Sequence, residues 1–227
     1  MKHTLKSAFI DTIPVMTGYL CLGFGFGILM KSAGFGILHT FAMSLLIYAG
    51  SMQYVAVGLL SGGVSLITAA VTTLLVNARH LFYGISMLEK YKNMGKRKPY
   101  LIFALTDETY SLLCTHPPHI EPGQTSNYYL LVSLLDHLYW ITGSVLGAVA
   151  GTLLHFNTEG IDFALTALFV TIFLDQWLST KKHAPAIIGV IASVTCLLIF
   201  GSENFLIPSM LIIALALCLY KEEEHHD

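Results

Sequence analysis

Charge is what this sequence lacks most. Between Thr12 and Ala78 the only formally charged side chain is Lys31. A soluble domain carries about 25% charged residues, and this chain has 11%. Such a stretch cannot be the core of an ordinary soluble domain. A spanning helix needs about 20 mostly apolar residues, so the stretch holds two or three membrane-embedded segments.

Other absences narrow the function. The four cysteines, Cys21, Cys114, Cys196 and Cys218, lie in or beside apolar segments with no Cys-x-x-Cys spacing, so neither a disulfide frame nor a zinc site is expected. There is no basic face for nucleic acid. Neither His-Glu-x-x-His nor Gly-x-Ser-x-Gly occurs, and His116 and His119 flank Pro117-Pro118 in a loop, which is poor ligand geometry. An intramembrane enzyme is therefore a weak rival, and no metal or cofactor is expected. The alternation of outer-membrane barrel strands is also missing.

What is present reads as an all-α, polytopic helical bundle. Apolar segments fall at 12–30, 33–60, 64–88, 100–114, 127–155, 161–179, 184–201 and 205–220. The whole chain, 1–227, is expected to form one integral membrane domain of about six to eight membrane segments. Lys2 and Lys6 before an apolar run resemble a signal peptide, but apolar segments continue along the chain, so a retained first span is expected.

Basic residues set the orientation. Lys90, Lys92, Lys96, Arg97 and Lys98 share one loop; Lys2 and Lys6 precede the first segment, and Lys181 and Lys182 follow the sixth. The positive-inside rule places all three groups in the cytoplasm. Three simple spans between Lys6 and Lys90 would put the first two groups on opposite sides. A broken or re-entrant segment between residues 32 and 88 resolves this, with Gly50-Ser51, Gly58 and Gly62-Gly63 available for it. Such backbone is tolerated at depth only where protein or a wet cavity surrounds it. A second irregular segment, at 127–155, would return Lys181 and Lys182 to the inside. Otherwise one basic cluster breaks the rule.

Several polar motifs interrupt the apolar segments. Gly23-Phe24-Gly25-Phe26-Gly27 permits close helix packing or a helix break. Tyr48-Ala49-Gly50-Ser51-Met52-Gln53-Tyr54 sets small residues beside Gln53. A broken helix there would offer backbone N–H and C=O groups to a zwitterion, or Ser51 and Gln53 bond a neighbouring helix. Asn77 and His80 share one helical face, with Arg79 and Tyr83 on the next stripe. Arg79 stays charged and needs a carboxylate, backbone carbonyls or water, while His80 can titrate near neutral pH. Arg79 is otherwise a structural pair near the membrane edge.

Thr106-Asp107-Glu108 lies mid-segment with its carboxylates about 100° apart, so they should face different partners. One can neutralise Arg79, and the other can hold a proton or a substrate ammonium. Asp136-His137 repeats the theme, although Trp140 leaves an interfacial position open. Asp175 beside Lys181 reads as interfacial. The polar tail from Glu222 to Asp227 reads as a solvated terminus.

Together, the Pro14-led first segment with its Gly-Phe-Gly-Phe-Gly run, Ala49-Gly50-Ser51-Met52-Gln53, Asn77-Ala78-Arg79-His80 and Thr106-Asp107-Glu108 resemble the AzlC family, the large subunits of bacterial branched-chain amino-acid exporters. The resemblance covers nearly the whole chain and is weak after residue 180. It implies a multi-pass protein of the bacterial inner membrane that exports leucine, isoleucine, valine and related amino acids. It also implies proton-motive drive and a small AzlD-type membrane subunit as partner. Met52 departs from the Gly-Ser-Ser-Gln pattern expected there.

For such a substrate the candidate binding residues are Gly50, Ser51, Gln53, Asn77, Arg79, Asp107 and Glu108. Phe24, Phe26 and Tyr54 are candidates for its apolar pocket. His80, Glu108 and Asp136 are the candidates for proton coupling. A passive facilitator for a small zwitterion, and a structural subunit with no pathway of its own, are the alternative readings.

Overall fold

A computed structural model describes residues 2–114, 120–153, 170, 173–174, 177–178 and 183–219. His116, His119, Asp175, Lys181, Lys182, the Glu222–Asp227 tail and most of the 161–179 segment lie outside the described residues. Those that are described form helices, with no strand among them.

Two units divide the chain, Met1–Asp162 and Phe163–Asp227. In the first, α1 (Lys2–Ser32) and α8 (Thr125–Leu153) are long and unbroken. Between them lie three pairs of short helices: α2 (Ile37–Leu46) and α3 (Gly50–Ser61), α4 (Leu66–Val76) and α5 (Arg79–Tyr91), and α6 (Lys98–Phe103) and α7 (Asp107–Leu113). The second unit contains α9 (Ala184–Asn204), kinked at Gly201, and α10 (Leu206–Leu219). Among the described residues, α1, α8 and α9 are long and apolar enough to cross a membrane, and α4–α5, bent by 48°, adds a fourth span if counted as one.

Close approach of α1 and α8 organises the first unit. Gly23 and Gly27 on α1 face Gly143 and Gly147 on α8. A Cβ on Gly23 would stand 2.9 Å from the Ser144 nitrogen, and one on Gly143 would stand 2.8 Å from the Leu20 carbonyl oxygen. At Gly27 and Gly147 it would overlap the carbonyls of Ser144 and Phe24 outright. In lipid, helices associate through such backbone contact because there is no water to expel. The Gly-Phe-Gly-Phe-Gly run therefore packs and does not break, and Pro14 leaves α1 continuous.

The expected irregularity in 127–155 is a correction. Its glycines are used against α1, it contains no proline, and α8 runs through without interruption. The irregularity expected between residues 32 and 88 is present, in both 33–60 and 64–88, and 100–114 is broken as well, each near its middle. On the basic-loop side, Ala8, Met87, Tyr91, Leu101, Leu113, Tyr128 and Tyr129 form a buried core. Two of the loop's cations are tied down there. Lys90 donates to the Leu113 and Cys114 carbonyls at the end of α7, and Arg97 donates to Ser126 Oγ (3.0 Å) and Asn127 Oδ1 (2.7 Å).

Candidate functional site

Each of the three breaks coincides with a polar motif, and each has its own local cause. Between α2 and α3 the chain turns through Tyr48 at φ +43°, a left-handed conformation that costs a non-glycine residue about 1–2 kcal/mol. Burial and stacking of its ring on His137, with centroids 4.2 Å apart, offset that strain. Between α4 and α5, Asn77 leaves helical geometry and its carbonyl accepts the His80 N–H at 2.9 Å. Between α6 and α7, Thr106 is extended and its Oγ1 accepts the Thr109 N–H at 3.3 Å, an N-cap. Asp107 and Glu108 then fill the first turn of α7, where the helix dipole favours carboxylates.

The starts of α3, α5 and α7 meet at Arg79. Its guanidinium donates to Ser51 Oγ at 2.5 Å and forms an ion pair with Asp107. Both charged side chains are about one-third exposed, at 34% and 32%. Arg79 opens α5, Asp107 opens α7, and Ser51 follows Gly50 at the start of α3. No side chain caps α3, so the first N–H groups of that helix, next to Arg79, have no intrahelical carbonyl to bond.

Glu108 faces elsewhere. The Tyr19 hydroxyl of α1 donates to Glu108 Oε2 at 2.7 Å and also lies 2.6 Å from Thr106 Oγ1. Thr106 donates to Thr109 Oγ1 at 3.0 Å, and Thr109 donates to Asp136 Oδ2 of α8 at 2.8 Å. Thr109 and Asp136 are fully buried, and Tyr19 and Thr106 nearly so.

Beside this chain the buried His137 ring bonds the Ser44 carbonyl at 3.1 Å and the Tyr100 hydroxyl at 3.2 Å. Trp140 donates its indole N–H to Gln53 Oε1 at 2.9 Å, tying α3 to α8.

The residues singled out from the sequence thus separate into groups. Gly50, Ser51, Arg79 and Asp107 come together at the junction, with Glu108 beside them. Gln53 is fully buried against Trp140. Asn77 serves the break through its carbonyl, and His80 turns back so that its Nδ1 lies 3.2 Å from that same oxygen. The expected shared helical face of Asn77 and His80 therefore belongs to a break. Thr106-Asp107-Glu108 starts a helix instead of lying within one.

Asp136 is fully buried within the protein. Of the three aromatics expected together, Phe26 and Tyr54 pack with centroids 5.6 Å apart, whereas Phe24 is 39% exposed. Tyr19, Thr109, Tyr100 and Trp140 were missed. Tyr19 was findable, since it lies one helical turn before Gly23 on the face that packs against α8.

Comparison with known proteins places these motifs in company. A family model described as AzlC protein matches residues 14–154, the region that holds the three breaks and α8. A Bacillus subtilis protein named branched-chain amino acid transport protein AzlC is 47% identical over 92% of this chain and 82% of its own length. An uncharacterized membrane protein of Haemophilus influenzae is 44% identical over 96% and 90%, respectively. The inner membrane protein YgaZ of Escherichia coli is 28% identical over 82% and 79%. No solved structure matches.

Proposed function

The chain belongs to the AzlC family and is a multi-pass membrane protein, and from that premise we propose that it is the large subunit of a secondary exporter of branched-chain amino acids. The proton motive force drives it, and a small AzlD-type membrane subunit is its partner. The name of the Bacillus relative supports the substrate class. Direction, driving force and partner rest on the family resemblance.

The observation that carries the reading is the Arg79–Asp107 pair where three half-helices begin. Charges at membrane depth mark pathways, and half-helix ends inside the bilayer suit ionic groups of substrates. A zwitterion can exchange into this pair. Its carboxylate takes Arg79, with the first N–H groups of α3 alongside, and its ammonium takes Asp107. Neither protein charge is then left bare, so entry of the substrate exchanges one set of ion pairs for another. The aliphatic side chain needs only an apolar wall. Glu108 and Asp136, which face away from Arg79, hold the coupling proton.

The test is efflux of preloaded radiolabelled leucine from cells without their own exporters, with this chain alone and with the small subunit, with and without an uncoupler. Uphill efflux that needs both chains and stops with the uncoupler is expected. Efflux that persists only downhill, unaffected by the uncoupler, would replace the exporter with a facilitator.

A further inference from the structure

Three hydroxyls, those of Tyr19, Thr106 and Thr109, link the half-buried Glu108 to the buried Asp136. Four oxygen–oxygen contacts connect the two carboxyl groups: Glu108–Tyr19 at 2.7 Å, Tyr19–Thr106 at 2.6 Å, Thr106–Thr109 at 3.0 Å and Thr109–Asp136 at 2.8 Å. Each hydrogen bond needs one hydrogen, and a hydroxyl carries only one. Tyr19, Thr106 and Thr109 therefore supply three hydrogens for four contacts. With both acids ionised, Tyr19 donates to Glu108, Thr106 donates to Thr109, and Thr109 donates to Asp136. Tyr19 and Thr106 are then left with two oxygens 2.6 Å apart and no hydrogen between them.

We infer that Glu108 and Asp136 share a single proton through Tyr19, Thr106 and Thr109, so that one carboxyl is protonated and the other ionised at a time. With the proton on Glu108, all four bonds point toward Asp136. With it on Asp136, all four point toward Glu108. Passage between the two states moves each hydrogen by one bond. Glu108 gives its proton to Tyr19, Tyr19 gives its own to Thr106, Thr106 to Thr109, and Thr109 to the Asp136 carboxylate. Every hydroxyl ends with one hydrogen, and one proton has moved from a half-buried acid to a fully buried one.

The surroundings fit a shared proton. Among the described residues the ion pairs are Arg79–Asp107 and Lys92–Glu89, and no described cation pairs with either acid of the chain. The titratable groups around Asp136 are Tyr48 at the α2–α3 break, Tyr100 of α6 and Tyr128 of α8, and those around Glu108 are Tyr19, Tyr48 and Tyr83. His137, the neighbour of Asp136, has both ring nitrogens engaged with Ser44 and Tyr100. Asp136 is fully buried and Glu108 half-buried, so water is not free to hydrate both carboxylates, and a buried charge without a partner is costly. Tyr19 is then a positioning residue for the proton. It deepens the exporter reading, because a substrate ammonium on Asp107 would favour an ionised Glu108 and send the proton to Asp136.

Infrared spectroscopy of the purified full-length chain in lipid vesicles, in light and heavy water near neutral pH, reads protonated carboxyl groups directly. Glu108→Gln and Asp136→Asn should each remove the absorption of the same single carboxyl, since the new amide supplies the fourth hydrogen. The double variant should remove no more. Tyr19→Phe deletes no carboxyl, yet should remove that absorption too, because two threonine hydrogens then serve two contacts. An absorption unchanged in Tyr19→Phe, or losses that add in the double variant, would overturn the inference. The shared proton rests on these contacts alone and its role in export rests on the proposed function. The band is read without substrate, so its failure and a failed efflux assay are separate outcomes.

Discussion

Arg79 and Asp107 are the first residues of two different half-helices, and they form an ion pair across the junction between them. The pair has a structural role and, in the proposed cycle, a substrate-exchange role. Substitution can separate the two. Arg79→Gln or Asp107→Asn alone leaves one charge without its partner, with an expected loss of about 1–3 kcal/mol for a pair that is neither fully buried nor fully exposed. The double variant should recover much of that stability and still export nothing. Thermal unfolding in detergent read beside leucine efflux checks both halves; efflux by the stable double variant would remove the pair from the binding site.

The contact between α1 and α8 should be intolerant of a single methyl group. Gly27→Ala and Gly147→Ala place a Cβ on backbone that cannot move without separating the helices, so a loss of about 1–3 kcal/mol or more is expected. Gly18→Ala is the control, because nothing lies within 4 Å of its would-be Cβ and alanine favours a helix by up to about 1 kcal/mol. Yields of folded protein from cells, together with melting temperatures, distinguish the two sites.

Trp140 and Gln53 should behave as a coupled pair. Trp140→Phe leaves the Gln53 oxygen buried and unbonded, at an expected cost of about 1–3 kcal/mol. Adding Gln53→Leu should return part of it, since burying two apolar groups leaves no polar atom stranded. A double-mutant cycle on unfolding measures the coupling; additive losses would mean the bond contributes nothing.

The orientation can be settled with single cysteines. In a background lacking the natural cysteines, Lys6→Cys and Lys96→Cys should both react only with a reagent supplied from the cytoplasm, as the positive-inside rule requires. Labelling from the same side means that one of the two broken pairs α2–α3 and α4–α5 returns to the face it entered from. Labelling from opposite sides means that both cross or that both return.

Much of the site was legible before any fold was known, because ionisable and amide groups stand out against an apolar background. Thr106-Asp107-Glu108 shows what was misread. A threonine followed by two acids signals a helix start, but the surrounding apolar residues made it look like the middle of one span. The same bias hid the break at Asn77. In α8 the error ran the other way. Loop-charge parity suggested irregular backbone there, yet the helix is unbroken and its glycines serve the approach of α1.

By itself the sequence determined the solvent in which this protein folds and where polarity had to be buried. So little charge between Thr12 and Ala78 admits only a membrane, and Arg79, Asp107, Glu108 and Asp136 within or beside apolar segments demand partners there. Which partner each would take was decided by tertiary structure. Arg79 could have met either neighbouring acid, and only the break before α7 turns Asp107 toward it and Glu108 toward Tyr19. The link from Thr109 to Asp136 likewise joins residues far apart in the chain. Local composition sets the penalty for a buried charge, whereas the packing of α1 and α8 around the three broken pairs selects the atoms that relieve it.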